Sequence, residues 1–298
     1  MSGINTQSTE IKNIAPHISE FRRFRRVFFS RGLVVFGMVV IVGFVVMALF
    51  APFLAPYDPY IPITDHALSQ PNLQHLLGTD VIGRDTLSRI IFGARTSLTI
   101  GLIVVGLASV IGMSLGMIAG YIGGWIYTVI MRGIDVLMTI PMILLALIVA
   151  ALLGEGIRNV IIALTVGMVP IYARLMCGQV LTIKENEYIM AGRAIGASNL
   201  RIMLRHLVPN AIPTLIVVVT MMLGTTVLAE AGLSFLGVGI EAPTAAWGSM
   251  VNDGRQYLIS HPILSFAPGL AIMLLVFAFN MVGDGLRDAL DPRLRGLL

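Results

Sequence analysis

Few side chains in this sequence have the types and spacing that chemistry requires. The group most easily mistaken for a catalytic cluster is Asp80, Arg84, Asp85 and Arg89, within a helix-forming stretch from about Thr79 to Arg95. Asp85 precedes Arg89 by four residues, the favourable order for a helical ion pair, and Thr79 or Asp80 can cap the helix. Acids and bases so arranged neutralise one another, so the group reads as a structural ion-pair network rather than a catalytic one. The five histidines, at 17, 66, 75, 206 and 261, are scattered and form no evident ligand cluster. No H-E-x-x-H, paired His/Cys or G-x-S-x-G arrangement occurs. The phosphate loop G-x-x-x-x-G-K-[ST] is absent too: no glycine is followed by lysine, so the groups that would hold nucleotide phosphates by that route are missing. The sequence thus leads us to expect no catalytic residue, no metal site and no cofactor bound by this chain.

What the spacing does offer is smallness. Gly112, Gly116 and Gly120 repeat every four residues, a small-xxx-small seam that lets two helices approach closely in lipid. A second set lies in the polar stretch from Glu187 to Pro209. There Met190, Ala191, Gly192, Gly196 and Ala197 are followed by basic residues, and Gly192 and Gly196 are expected to share one helical face. A basic helix with so little side-chain bulk is suited to docking against another protein, and Pro209 is expected to stop it before the next apolar run.

The elements that carry these residues follow from composition. At 56% hydrophobic and 12% charged, the 298-residue chain is far from a soluble domain, where about a quarter of residues are charged. The net charge of +4 does not point to nucleic acid, because most basic residues sit beside apolar runs, as in membrane proteins. The single cysteine, Cys177, excludes an internal disulfide and reads as a small buried side chain. An all-α membrane protein of six transmembrane helices is predicted. Residues 1–31 form a cytoplasmic tail ending in a basic aromatic collar, in which Arg22, Arg23, Arg25 and Arg26 interleave with phenylalanines. The first span is 32–55, retained rather than cleaved. An external loop with an interfacial helix covers 56–96, a five-helix core 97–285, and a cytoplasmic tail 286–298.

Within the core the spans are about Leu98–Ala119, Ile134–Leu153 with Pro141 inside, Asn159–Leu181, Ala211–Leu228 and Ile263–Val282. Arg132 is expected to pair with Asp135, and Arg174 to snorkel from the fourth span. The glycine-rich connection 231–262 is too apolar for a free loop and too broken for a span. It is expected to pack as an external cap, with Gly237 and Gly239 in it and Trp247 at the membrane interface. Six spans put both termini on one side. Fourteen Lys and Arg fall on that side against five on the other, which makes it cytoplasmic. The spans hold almost no ionisable residue at mid-membrane, which disfavours a self-powered, proton- or ion-coupled carrier.

The 184–209 loop resembles the EAA loop of membrane subunits in binding-protein-dependent ABC importers. The pattern falls on Met190-Ala191-Gly192, Gly196 and His206-Leu207-Val208-Pro209, with the glycine and proline at the family's spacing. It departs at Met190, where the family has an acid (Glu187 lies three residues earlier), and at Gly192, His206 and Val208. Three further stretches, 77–98, 236–250 and 283–292, resemble the dipeptide, oligopeptide and nickel branch of these permeases, in its C-type partner. The resemblance implies a type I importer permease whose coupling helix lies in the 184–209 loop. It also implies a homologous B-type permease forming a heterodimer, two cytoplasmic ATPases carrying ATP and Mg, and an external solute-binding protein. The location implied is the bacterial inner membrane, and the substrate a dipeptide or oligopeptide. Nickel-chelate or glutathione uptake is the alternative within the family; a self-contained channel or carrier, or an intramembrane enzyme, is the alternative outside it.

Overall fold

The computed structural model describes residues 20–290, and within them the fold is helical, apart from one isolated bridge between Thr79 and Asp85. In chain order the helices are α1 (Glu20–Phe28), α2 (Gly32–Leu49), α3 (Ala51–Leu54), α4 (Thr86–Ile122), α5 (Gly124–Met138), α6 (Met142–Leu153), α7 (Ile157–Ile183), α8 (Glu187–Ala194), α9 (Asn199–Ile202), α10 (Val208–Phe235), α11 (Trp247–Gly254) and α12 (Ile263–Leu290). Five segments are long and apolar enough to cross a membrane: α2, α4, α7, α12 and the run from Asn199 to Phe235. The pair α5 and α6 makes a sixth pass if its two bent halves are taken together.

The core is organised around α4 and α7. Gly112, Gly116 and Gly120 lie on the face of α4 that meets α7. A Cβ added at Gly112 would sit 2.5 Å from the Val169 carbonyl oxygen, and one at Gly120 would sit 3.1 Å from that of Cys177. At Gly116 it would fall closer still to the Ala173 carbonyl. The backbones therefore touch, and dispersion along the seam replaces the hydrophobic drive that lipid cannot supply. Cys177 is buried in this contact. Around it pack Ile100, Val104, Ala163, Leu164, Met168 and Tyr172, all nearly free of exposed surface. α2 and α12 form a second layer, sealed at one end by Phe28 and Val34 against Val282 and by an ion pair of Arg31 with Asp288 at 2.8 Å.

Several expected boundaries are corrected. The interfacial helix and the second span are one 37-residue helix, α4, with no break near residue 96. The helix begins later than expected. Asp85, not Thr79 or Asp80, is its N-cap, and the Asp85 carboxylate accepts from the Ser88 backbone N–H at 2.7 Å. The third span is broken rather than merely kinked: α5 and α6 meet at 88°, with Pro141 extended (ψ 133°) as the N-cap of α6. Proline offers no N–H and disfavours helical geometry before it, which is enough to part the two halves here. Asp135 pairs with Arg174 of α7 rather than with Arg132, so Arg174 is tied to a neighbouring helix. Residues 286–290, expected to open the C-terminal tail, continue α12 as one helix. Residues 1–19 of the N-terminal tail, including Lys12, and 291–298 of the C-terminal tail lie outside the described residues.

Candidate functional site: the coupling turn and the opposite cap

Two regions at opposite ends of the bundle hold the residues singled out by sequence. The first is the turn between α7 and α10. α8 is short, and it ends in a Schellman motif: the Ala197 N–H donates to the Gly192 carbonyl and the Gly196 N–H to that of Arg193, both at 3.0 Å. Gly196 has φ +82°, a left-handed conformation that glycine adopts without a Cβ penalty. This corrects the expected shared face. Gly192 is helical, whereas Gly196 is the residue that ends the helix and turns the chain. Pro209 is corrected as well, because it does not stop the segment. Five residues of π-helix, Met203–Leu207, join α9 to α10, and the Val208 N–H donates to the Met203 carbonyl five residues back. Widening the turn makes room for the proline ring, which would otherwise press on the carbonyl four residues before it.

The turn is held from below by Ile189, Ile202, Leu207 and Ala211, packed on Met176, Val180 and Ile183 of α7. Tyr121 at the end of α4 donates its hydroxyl to Asn199 Oδ1 at 3.0 Å, and the Arg193 guanidinium lies 5.0 Å over the Tyr121 ring. Lys184 reaches the Gly120 carbonyl at 3.2 Å, which joins the loop to the end of the glycine seam. The outer side is different. Glu187, Met190, Ala191 and Gly196 are exposed, and Cβ atoms added at Gly192 or Gly196 would meet nothing within 4 Å. Met190, Ile195, Leu200 and Leu204 are 52–86% exposed, an apolar surface with Arg193, Arg201 and Arg205 beside it. A groove of about 550 Å³ runs between Leu200, Leu204, Arg205 and Pro209.

At the other end, the predicted ion-pair network is present with different partners. Asp80 accepts from Arg84 Nε at 2.6 Å and faces Arg89 Nε at 3.5 Å. Asp85 is held by His75 Nδ1 at 2.9 Å and by the Ser88 hydroxyl at 2.8 Å, not by Arg89. Because Asp85 caps the helix, its carboxylate points at the first turn and cannot reach four residues along. Arg89 instead donates to the carbonyls of Pro59 at 3.2 Å and Pro243 at 3.4 Å, joining the first loop to the cap. Asp253 of α11 lies close by. Burial pushes its carboxyl up, and Arg89 and Arg84 oppose that shift.

Trp247 does not lie at a membrane interface. It is fully buried, donates its indole N–H to the Ile90 carbonyl at 3.0 Å and packs its ring edge-on to Phe44. Gly93 makes room for it, since a Cβ there would be 2.5 Å from the indole. Gly237 (φ +81°) terminates α10 in a second Schellman motif, and Gly239 is pressed onto Ser234 with its carbonyl accepting from the Gly156 N–H at 3.0 Å. Hydropathy missed one residue: Glu230, placed beyond the fifth span, is wholly buried in α10 and accepts from Ser97 at 3.1 Å and Ser234 at 2.9 Å. Its signal was the pairing of an isolated acid with Ser234 four residues on, both on one helical face.

This geometry, a broken third pass, a glycine-ended turn between the fourth and fifth, and a packed cap opposite, agrees with a family comparison. Residues 112–296 match the family described as binding-protein-dependent transport system inner membrane component. The chain belongs to that family. Residues 19–75 match the N-terminal transmembrane domain of oligopeptide transport permease C. The chain is 43% identical to a dipeptide transport system permease protein of Alkalihalophilus pseudofirmus, over 88% of this chain and 86% of that one. To the glutathione transport system permease protein of Escherichia coli O157:H7 it is 44% identical, over 93% and 90%. Among solved structures, the MetNI methionine ABC transporter in an inward-facing conformation aligns at TM-score 0.56 and 24% identity, covering 67% of this chain and 96% of that one, a likeness of fold. The chain is thus a multi-pass permease subunit of an ABC importer, of the peptide-type branch.

Proposed function

We propose that this subunit forms, with a homologous permease, the path by which a bacterial inner membrane takes up short peptides, powered by two ATPases docked at the α8 turn. An external binding protein delivers the peptide at the opposite end, where the 231–262 cap, with Gly237 and Gly239, closes the mouth. ATP and Mg reside on the ATPases. The α8 end is cytoplasmic, because it gathers the larger share of basic residues.

The observation that carries this reading is the surface of the α8 turn. Met190, Ile195, Leu200 and Leu204 are exposed on a turn that also carries three arginines, a composition that suits a protein partner better than water or lipid. Gly192 opens onto that surface. The test is Gly192→Leu, measured as ATPase retained on the tagged, affinity-purified permease pair. The side chain meets nothing inside this chain, so the permease should insert and pair normally. At a tight contact the added bulk should cost about 1–3 kcal/mol, or 5-fold to more than 100-fold in affinity. Full retention of the ATPase would remove the docking assignment. Glutathione, itself a small peptide, is the second reading, favoured by the 44% identity to a glutathione permease.

A further inference from the structure

Two pockets lie side by side at the end of the bundle that the proposed function places outside. One, of about 270 Å³, is walled by Tyr60, Phe92, Arg95, Thr99, Ile157 and Thr244. The other, of about 500 Å³, is walled by Gly154, Glu155, Gly237 and Glu241 among others. Their charges are opposite. Arg95 is exposed and, among the described residues, has no carboxylate within ion-pair distance, whereas Arg84 and Arg89 are both committed to Asp80. Glu155 and Glu241 are exposed and equally free of a basic partner among the described residues.

The pockets share their walls. Glu155 and Ile157 belong to one turn, which the Gly156–Gly239 hydrogen bond of 3.0 Å fastens to the cap. Glu241 and Thr244 close another turn, with the Thr244 N–H donating to the Glu241 carbonyl at 3.2 Å. Two residues of chain span at most about 7 Å, and the ends of a four-residue turn lie within about 7 Å, so the walls of the two pockets come together at both turns. Thr96 spends its hydroxyl on the Phe92 carbonyl at 3.3 Å, but those of Thr99 and Thr244 make no hydrogen bond among the described residues.

We propose that this pair of pockets receives the two charged ends of a zwitterionic peptide: Arg95, with Thr99 and Thr244, takes the terminal carboxylate, and Glu155 with Glu241 takes the terminal ammonium. A guanidinium matches a carboxylate in shape and charge, and an ammonium donates to two carboxylates at once. The order of the charges sets the direction in which the peptide enters. The proposal rests on the peptide-uptake reading above.

The test uses the whole transporter, with both permeases, the ATPases and the binding protein, in proteoliposomes taking up radiolabelled Ala-Ala and Ala-Ala-Ala. Arg95→Gln and the double variant Glu155→Gln/Glu241→Gln should each lower uptake about tenfold at saturating binding protein, with Arg95→Lys intermediate. The concentration of binding protein giving half-maximal ATP hydrolysis should not change. Arg158→Gln, which removes a charge lining neither pocket, should behave as wild type. Unchanged uptake in the Arg95 and glutamate variants would overturn the proposal. So would a rise in the half-saturating binding protein with full uptake at saturation, which would make these charges a docking surface for that protein. A wild-type complex that takes up neither peptide would remove the peptide reading, and this proposal with it.

Discussion

Two sets of glycines spaced by four residues do opposite work in this molecule. Gly112 and Gly116 face the α7 backbone so closely that no Cβ fits, and at Gly120 one would fit only if its neighbours gave way slightly. Gly192 and Gly196 face open space, and they are not equivalent to each other: one is an ordinary helical residue, the other a left-handed helix end. In the seam, the residue that requires glycine is within the same chain, so its purpose can be read from the fold. At the turn, the fold explains Gly196 through its backbone conformation and leaves Gly192 with no internal reason to lack a side chain. Under the proposed docking, the missing side chain leaves room for a partner chain.

Substitutions break or sharpen this contrast. The largest effect is expected from Gly116→Leu. The side chain would drive into the Ala173 backbone, which cannot rotate away, so the α4–α7 contact should part. Overpacking of this kind costs about 3 kcal/mol or more. Thermal unfolding of the permease in detergent should show a lowered midpoint or no folded protein at all. A normal melt would mean that α4 and α7 are not in contact. Gly196→Ala should be smaller, about 1 kcal/mol, because a Cβ in the left-handed region is strained even where there is room. The same melt should detect it, together with faster proteolysis near residue 196. An unaltered midpoint and cleavage rate would argue against the left-handed turn. Gly192→Ala should be smallest and of opposite sign. Glycine in a helix interior costs up to about 1 kcal/mol relative to alanine, so the isolated permease should melt at the same temperature or slightly higher. A clear loss of stability would show that Gly192 is packed from within the chain. Because Gly196 is left-handed and Gly192 is not, the size of a tolerated side chain is better tested at 192.

The passes, the glycine seam and the position of the polar turn between the fourth and fifth passes were legible in the sequence, because each depends on a run of apolar residues, on its interruption or on a short repeat. What was illegible depends on groups far apart in the chain. Hydropathy starts the second span only near Leu98 because Arg89 and Arg95 precede it, yet a helix needs only its own backbone bonds and runs through both. Trp247 carries the composition of an interfacial residue, and its burial depends on Gly93, some 150 positions away. Asp85 and Arg89 have the spacing of an ion pair, but capping claims the acid first. Glu230 reads as the start of a loop until Ser97 and Ser234 supply its donors. The left-handed turn at Gly196 follows from local backbone geometry, which a spacing argument that treats all glycines alike passes over.

The two 37-residue helical runs, Thr86–Ile122 and Asn199–Phe235, are each about 55 Å long at 1.5 Å per residue, well beyond the 30 Å or so of hydrocarbon in a bilayer. Each therefore projects out of the membrane as a lever with its fulcrum in the lipid. A tilt of about 10° about the middle of such a rod swings either end by roughly 5 Å. In the second run the load arm begins at the α9 turn and the far arm ends at Gly237, beside the cap. Its shaft is softened near the end where force would be applied, at a joint made of the π-turn at 203–207 and Pro213. Stiffening that joint or leaving it loose would set how much of a push at one end of the rod arrives at the other.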